Sequence, residues 1–282
     1  MASGADRAGL GASSPLIEER DIAGLRVALS GDPQAVPIVL VHGLAERWQV
    51  WGPLIPLLAE SFRVIAVDLP GFGASPPLAG GRFPLDLVAD RLEATLAALE
   101  VERPVLCGHS LGGGLCVFAA ARDPSRYRAV VLIAPAGLIA TGAVRPSWRR
   151  PRVHAATRRL LALAQPLANI PALRSRVFSR LAVQTDRIDG AELVAGARVA
   201  RSTPAAGVTI VHAGLRDRLH RLTLPALVVW GAQDRVIWPG FAEPLAEALP
   251  DARLLVDEDA GHLVFVENPE RVAAAIADLV RE

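Results

Sequence analysis

The chain has 282 residues, of which 51% are hydrophobic and 21% are charged, a composition typical of a folded globular protein. Its formal net charge is +1, so the composition gives no sign of a nucleic acid or an anionic membrane as a partner. All thirty basic residues are arginine, which excludes a Schiff-base lysine and a P-loop lysine.

The cysteines and the apolar segments indicate which compartment the protein occupies and whether it crosses a membrane. Cys107 and Cys116 lie in apolar stretches and are too few for a disulfide framework, so we predict inert buried thiols. The first sixteen residues lack the continuous apolar core of a signal peptide. The longest apolar stretch, 129–144, is interrupted by proline and glycine and is too short for a membrane span. We therefore expect a cytoplasmic protein, with monomer and homodimer both open.

Strand and helix patterns alternate along the chain after a Gly/Ser-rich start that is expected to be loose to about residue 15. Residues 16–29 predict two short strands joined at Gly24. Further strands are predicted within 37–43, 62–71, 104–110, 128–137, 225–234 and 252–262, and helices within 50–60, 85–100, 111–122 and 269–281. Such alternation requires crossover connections, so it predicts an α/β fold with a mainly parallel sheet and helices on both faces.

Residues 138–222 are too long for an ordinary connection between two parallel strands, and their pattern is mainly helical. We therefore divide the chain into a first core segment at 1–137, an inserted helical cap at 138–222 and a second core segment at 223–282. The cap carries fifteen arginines against four acidic residues. This excess of arginine favours binding of substrates with a carboxylate or phosphate tail. The alternative is an arginine-rich surface that is simply solvated. Trp148 and the apolar residues 160–173 favour an apolar pocket equally well.

A nucleophile is predicted at Ser110, where Gly108-His109-Ser110-Leu111-Gly112 matches G-x-S-x-G between a predicted strand and a predicted helix. The chain must turn within a residue or two, which strains the serine and projects its hydroxyl above the sheet. A β-carbon at either flanking glycine would collide with the bend. The free N–H groups of the helix N-terminus point to the same place. A glycine-rich packing turn is the alternative.

A serine hydroxyl needs a base to accept its proton. The chain offers six histidines: His42, His109, His154, His212, His220 and His262. His262 follows the last strand, at the carboxyl end where sites of open parallel sheets gather, and is the predicted base. His42 and His109 are interpreted as structural, and the three cap histidines as surface residues.

The base needs a carboxylate that fixes its tautomer, and Asp234 at the end of a predicted strand is the favoured candidate. Asp257 and Asp259 are alternatives because they lie close to His262 in sequence.

An oxyanion hole is the fourth requirement of this chemistry, and backbone N–H groups usually provide it. The amide of Leu111, directly after the nucleophile, is one predicted donor. The amide of Leu44, in the segment HGLA, is the other, with a simple turn as the alternative reading there.

Five segments give the chain a resemblance to the α/β-hydrolase superfamily: VLVHGLAERW, VIAVDLPGFGAS, GHSLGGG, VVWGAQD and DEDAGH. The resemblance covers residues 16–137 and 223–282. It implies an eight-stranded, mainly parallel sheet with a helical cap after the sixth strand of that fold. The order Ser110, Asp234, His262 is the order of catalytic residues in that superfamily.

The same resemblance limits the reactions that we expect this chain to catalyse. Haloalkane dehalogenases and epoxide hydrolases of this branch carry aspartate where this chain has Ser110, so both are disfavoured. Serine-bearing relatives include carboxylesterases, C–C bond hydrolases, cofactor-free haloperoxidases or perhydrolases, and acyltransferases. We expect hydrolysis of a carboxylic ester of a small-to-medium apolar substrate through an acyl-enzyme. A ligand receptor with the hydrolase fold is the non-enzymatic alternative.

No cofactor or metal is expected. The glycines of GFGAS at 71–75 do not continue into a dinucleotide motif, because Pro76 replaces the third glycine and Pro77 prevents a helix. The chain contains neither H-E-x-x-H nor C-x-x-C, two common metal-site motifs.

Overall fold

A computed structural model describes residues 16–138 and 165–281. Within these residues eight strands form one sheet, in the order β1-β2-β4-β3-β5-β6-β7-β8. The strands are β1 (Glu18–Ile22), β2 (Leu25–Ser30), β3 (Val36–Val41), β4 (Phe62–Val67), β5 (Val105–His109), β6 (Ala129–Ile133), β7 (Ala226–Gly231) and β8 (Ala252–Asp257).

The α-helices within the described ranges are α1 (Ile55–Ala59), α2 (Leu85–Ala98), α3 (Leu111–Arg122), α4 (Pro171–Phe178), α5 (Gly190–Val199), α6 (Thr203–Val211), α7 (Ala242–Glu247), α8 (Val264–Glu267) and α9 (Pro269–Arg281). Short 3₁₀ helices occupy Trp48–Trp51, Ala79–Gly81, Pro124–Arg126, Gln165–Leu167, Thr185–Arg187, Leu215–Arg221 and Pro239–Phe241. None of these helices has the length and apolarity needed to cross a bilayer.

The strand pairing confirms the predicted mainly parallel sheet. β1 runs antiparallel to β2, and β2 antiparallel to β4, whereas every pair from β4 to β8 is parallel. The central strand β3 lies between β4 and β5, and its last residue Val41 is in register with Val67 and Gly108. The carboxyl ends of the parallel strands therefore share one edge of the sheet, where a crevice for ligands forms in folds of this kind.

Both faces of the sheet are covered by helices, which explains the continuous apolar run of β3. Val39 and Val41 pack in one hydrophobic cluster with residues of α2, α3, α6 and α7. Ile38 and Leu40 pack in a second cluster with residues of α1, α8 and α9. All four side chains are fully buried. A strand buried on both faces has no polar alternation, as this sequence shows. Cys107 and Cys116 are also buried and free, as predicted.

Between β6 and β7, the described residues 165–222 contain α4, α5, α6 and three short 3₁₀ helices, in agreement with the predicted mainly helical pattern. Pro171 begins α4 at a position that needs no backbone N–H. The side chain of Asp189 caps α5 by accepting from the Glu192 N–H at 3.1 Å. The predictions for the first fifteen residues, and for Trp148 and His154 of the cap, lie outside the described residues.

Candidate active site

The turn at Ser110 joins the end of β5 to the start of α3, and its backbone has φ 50° and ψ −112°. This conformation is strained for a residue with a side chain. Three backbone hydrogen bonds hold it: the Ser110 N–H donates to Ile133 O at 2.9 Å, and its carbonyl accepts from Gly114 N at 3.1 Å and Ala136 N at 2.8 Å. The strain is therefore maintained by β6 and α3 on either side.

The glycines around the serine are required by close backbone contacts, as predicted. A β-carbon at Gly108 would lie 2.4 Å from the carbonyl oxygen of Gly112. A β-carbon at Gly112 would lie 2.1 Å from the carbonyl oxygen of Val41 in β3. Neither neighbour is a flexible side chain, so neither glycine can be replaced without moving the main chain.

A buried histidine–carboxylate pair is formed by His262 and Asp234. The Nδ1–H of His262 donates to Asp234 Oδ2 at 2.7 Å. The other carboxylate oxygen, Oδ1, accepts from the N–H groups of Val236 at 2.7 Å and Ile237 at 2.9 Å. Since Nδ1 carries the proton in this bond, Nε2 of a neutral His262 has a free lone pair. The pair can therefore act as a base oriented by an acid.

The alternative carboxylates are engaged elsewhere or exposed. Asp257 Oδ2 accepts from Arg271 Nη1 at 3.1 Å, and its Oδ1 accepts from the Asp259 N–H at 3.1 Å. Asp259 itself is exposed. The structure thus brings Asp234, and neither of the sequence neighbours, to His262.

Burial is the main reason that the pKa of His262 lies below its ordinary value, and the neighbouring His109 lowers it further. The hydrogen bond and charge of Asp234 act in the opposite direction but do not outweigh burial. A lowered pKa keeps the imidazole neutral at neutral pH, which is the state needed to accept a proton.

The two amides predicted to form an oxyanion hole both lie at the carboxyl edge of the sheet. Leu111 is the first residue of α3, and Leu44 follows β3 by three residues. In the part of the chain that the structure describes, neither N–H makes a backbone hydrogen bond. Both are therefore free to donate to a negatively charged oxygen.

His42 shapes the loop that carries Leu44, in line with its structural interpretation. Its Nδ1–H donates to Gly43 O at 2.7 Å, and its Nε2 accepts from the Leu69 N–H at 3.0 Å. His42 is fully buried. Both ring nitrogens are thus used within the protein, which leaves none for proton transfer to a substrate.

Three buried carboxylates that the sequence did not single out also hold loops at this edge. Glu46 Oε2 accepts from the Gly43 N–H at 2.7 Å. Asp68 accepts from the N–H groups of Trp48 at 2.7 Å and Ala74 at 2.8 Å. Glu267 accepts from three N–H groups at 2.7–2.8 Å: Val183, Gln184 and Gly261. Burial raises the pKa of Glu267 above its ordinary value.

Residues 181–199 contact both the base loop and the loop of Leu44. The Leu263 N–H, next to His262, donates to Leu181 O at 3.0 Å. Arg47 forms a two-pronged ion pair with Glu192 of α5. A β-carbon at Gly196, also in α5, would lie 3.0 Å from Ala45 O. This segment therefore fixes the geometry of the edge that carries the candidate residues.

An apolar cavity of 390 Å³ lies beside the loop that follows Asp234, and neither Ser110 nor His262 is among its lining residues. Its walls include Pro135, Trp230, Ile237 and Phe241, with Arg216 as a charged member. Ile237 also donates its N–H to Asp234, so the cavity adjoins the loop that orients the acid.

His212 and His220 are exposed, in agreement with the surface interpretation. Across 16–138 and 165–281, no three His, Cys, Asp or Glu side chains gather in a way that could hold a metal ion.

Residues 36–269 match the family model described as alpha/beta hydrolase fold. The chain is 30% identical to a 2-hydroxymuconate semialdehyde hydrolase of Pseudomonas sp. strain CF600, over 96% of each chain. It is 33% identical to a pimeloyl-[acyl-carrier protein] methyl ester esterase of Aromatoleum aromaticum, over 86% of this chain and 98% of that one. A solved 2-hydroxy-6-oxo-6-phenylhexa-2,4-dienoate hydrolase from Rhodococcus sp. strain RHA1 superposes with a TM-score of 0.74 at 24% identity, covering 95% of this chain and 100% of that one. The chain belongs to the alpha/beta hydrolase fold family, as the resemblance of its motifs implied.

Proposed function

We propose that this protein is a serine hydrolase that cleaves a carboxylic ester of a small-to-medium apolar substrate through an acyl-enzyme. The observation that carries the proposal is the buried 2.7 Å bond between His262 Nδ1 and Asp234 Oδ2. A base oriented in this way, on the edge that also bears the strained Ser110 turn, is the arrangement that activates a serine hydroxyl.

Acylation begins when Ser110 Oγ attacks the ester carbonyl carbon and passes its proton to His262 Nε2. Asp234 stabilises the imidazolium that results. The tetrahedral oxyanion accepts hydrogen bonds from the amides of Leu44 and Leu111, and loss of one such donor usually costs about 3 kcal/mol. Collapse of the intermediate breaks the C–O bond, and His262 gives its proton to the departing alkoxide.

Deacylation repeats the same steps with water. His262 removes a proton from water as its oxygen attacks the acyl carbon, and the new tetrahedral intermediate expels Ser110 Oγ. The proton on His262 returns to Oγ, which restores the free serine and releases the carboxylic acid. The cycle needs no cofactor.

The 390 Å³ cavity supports an apolar acyl or alcohol group, because its size and lining fall in the range of small-molecule sites. Arg216 in its wall supports a substrate with a carboxylate tail, since a guanidinium pairs well with a planar oxyanion. Neutral and carboxylate-bearing esters of one acyl chain should therefore be compared. The charged ester should react faster, and Arg216→Ala should remove that advantage; equal rates in the parent enzyme would exclude the anionic tail.

A panel of chromogenic esters graded by chain length and charge tests the activity itself. The native chain should hydrolyse some members, and Ser110→Ala should lose several orders of magnitude in kcat/KM while its circular dichroism stays the same. A Ser110→Ala variant that keeps most of its turnover would refute the assignment of the nucleophile.

A second candidate function is hydrolysis of a carbon–carbon bond, because one relative that matches over 96% of both chains is named for 2-hydroxymuconate semialdehyde. The relative named for a methyl ester of a carrier-bound acyl group favours the ester instead. Incubation with 2-hydroxymuconate semialdehyde, followed by its ultraviolet–visible absorbance, separates the two. Faster turnover of this compound than of any ester in the panel would make the carbon–carbon bond the primary target.

A further inference from the structure

A second buried carboxylate–imidazole pair lies beside the first. His109 Nδ1 is 3.1 Å from Glu46 Oε2, and the two side chains are 0% and 10% exposed. His109 is the last residue of β5, and Glu46 lies in the loop after β3. Neighbouring parallel strands therefore carry these two residues to the same point.

Each end of this pair is attached to an element of the candidate site. Glu46 Oε2 also accepts from the Gly43 N–H at 2.7 Å, next to the amide of Leu44. At the other end, His109 Nε2 is 3.1 Å from the carbonyl oxygen of His262. The ring centroids of His109 and His262 are 4.6 Å apart. A continuous set of hydrogen bonds thus joins the loop of Leu44 to the base.

The two ring nitrogens of His109 each face an oxygen atom, one of Glu46 and one of His262. A backbone carbonyl oxygen only accepts, so the Nε2 that faces His262 must carry a proton. Burial alone would raise the pKa of Glu46, but the charge and hydrogen bond of His109 outweigh it, and the pKa lies below its ordinary value. An ionised Glu46 also only accepts, so Nδ1 must carry a proton too. Donation from both ring nitrogens to these two acceptors is the arrangement expected of a buried ion pair.

We propose that Glu46 and His109 form a buried ion pair that positions the base, by linking the Gly43–Leu44 loop to the backbone of His262 and keeping a positive charge beside its ring. Both are positioning residues, and the inference rests on the proposed function because it assigns them a role toward His262. It also gives a reason for two charged groups in a fully packed region, where an unpaired charge would be costly.

The charge of His109 is one of several that act on His262. Asp234 favours the imidazolium of His262 directly, and Glu46 does so from a greater distance, whereas His109 opposes it. Glu267 approaches the same loop through the Gly261 N–H. The net effect expected of His109 is to keep His262 neutral to lower pH, because two adjacent imidazolium rings repel each other.

The test compares His109→Gln and Glu46→Gln with the native chain. The rate of Ser110 labelling by a fluorophosphonate probe is measured across pH, and folding is checked by circular dichroism. Both variants should label about tenfold more slowly or worse at neutral pH, because the base is less well positioned. In His109→Gln the midpoint of the acid limb should move to higher pH, since the opposing positive charge is removed. In Glu46→Gln it should move the same way, because His109 loses a proton together with its partner, and the effect of His109 on His262 is larger than that of Glu46. His220→Gln changes an exposed histidine and should match the native chain.

A merely structural role would lower the rate without moving the midpoint, so an unshifted midpoint in folded variants overturns the proposal. If a single substitution prevents folding, the double variant Glu46→Gln/His109→Gln removes both charges together. Its midpoint should also move to higher pH, and an unshifted midpoint overturns the proposal.

Failure of the proposed function is recognised separately, because the native chain would then take up no label at Ser110. In that case ¹⁵N NMR of the histidine rings still tests the ion pair without any turnover. Both nitrogens of His109 should be protonated at pH 7 in the native chain, and only one in Glu46→Gln. A singly protonated His109 in the native chain at pH 7 overturns the proposal, whatever the activity.

Discussion

Asp234 Oδ2 and His262 Nδ1 are joined by a 2.7 Å hydrogen bond across 28 residues of sequence. The Asp234 side chain is fully buried, and the two N–H groups of Val236 and Ile237 hold its other oxygen. The carboxylate therefore cannot rotate away from the imidazole without losing three hydrogen bonds. This rigidity fixes the tautomer of His262 and leaves Nε2 as the acceptor.

Replacing Asp234 with asparagine should leave the fold intact but lower kcat/KM by about 10⁴-fold, because an amide no longer stabilises the imidazolium and favours the wrong tautomer. Ester hydrolysis at pH 7 gives the measurement. Asp259→Asn changes an exposed neighbour in sequence and should have almost no effect. Equal losses in the two variants would show that Asp234 is not the orienting acid.

The pH dependence of kcat/KM should have its acid half-maximum below about 6.5, the ordinary histidine pKa. Burial, and then the charge of His109, lower the pKa of His262, so the neutral base persists as the pH falls. The profile is obtained with one ester between pH 4.5 and 8. A half-maximum at or above 6.5 would contradict the lowered pKa.

The same shift contributes to stability. The pKa of His262 is lower in the folded chain than in the unfolded chain, so its stabilising contribution is complete above about pH 6.5 and is lost as the pH falls through the lowered value. Burial lowers the pKa of His42 as well, in the same direction. These two shifts should therefore lower the free energy of unfolding in urea as the pH falls from 7 to 5, while the raised pKa of Glu267 acts in the opposite direction. The decrease should be larger in the native chain than in His262→Gln, and equal pH dependence in the two chains would be inconsistent with the lowered pKa of His262.

Gly112→Ala should destabilise the fold by at least about 3 kcal/mol, because its β-carbon would lie 2.1 Å from the Val41 carbonyl oxygen. Gly80→Ala is the matched control, since no atom of the described residues lies within 4 Å of its β-carbon. Its φ of 71° alone should cost about 1–2 kcal/mol. Urea denaturation of both variants gives the comparison. A Gly112→Ala variant as stable as Gly80→Ala would mean that the turn can relax.

The fold was largely predictable from the sequence because the spacing of apolar residues along the chain reflects which side chains are buried. The run at β3 is apolar on both faces and was predicted as a strand for that reason. The predicted ends of strands and helices were less accurate where prolines and positive φ values change the direction of the chain. The predicted strand at 128–137 ends at Ile133, because Pro135 and the positive φ values of Ala134 and Gly137 turn the chain away. The predicted helix at 50–60 is divided near Pro53 into two short pieces.

The residues brought together at the site were identifiable because each follows a strand, and parallel strands end at one edge. Glu46 and Glu267 were not identifiable in this way. Glu267 accepts from backbone N–H groups 83 and 84 residues away, and backbone donors leave no side-chain pattern in a sequence. Glu46 acquires its partner His109 only through the pairing of β3 with β5. Such contacts depend on tertiary structure alone.

The ion pair between Arg47 and Glu192 should couple the loop of Leu44 to α5. A double-mutant cycle with Arg47→Met and Glu192→Gln should give a coupling energy of about 1–3 kcal/mol, because the pair is two-pronged and largely shielded from solvent. The more exposed pair of Arg122 and Asp90 serves as the control and should give a smaller value. Equal coupling in the two cycles would argue against a special link between α5 and the loop of Leu44.

Covalent labelling measures whether Ser110 is a nucleophile activated by His262 and Asp234. The native chain is treated with a fluorophosphonate probe, digested, and the adduct is located by mass spectrometry. We expect a single adduct on Ser110, absent in Ser110→Ala and formed far more slowly in His262→Ala. Labelling of a different residue, or unchanged labelling without His262, would contradict it.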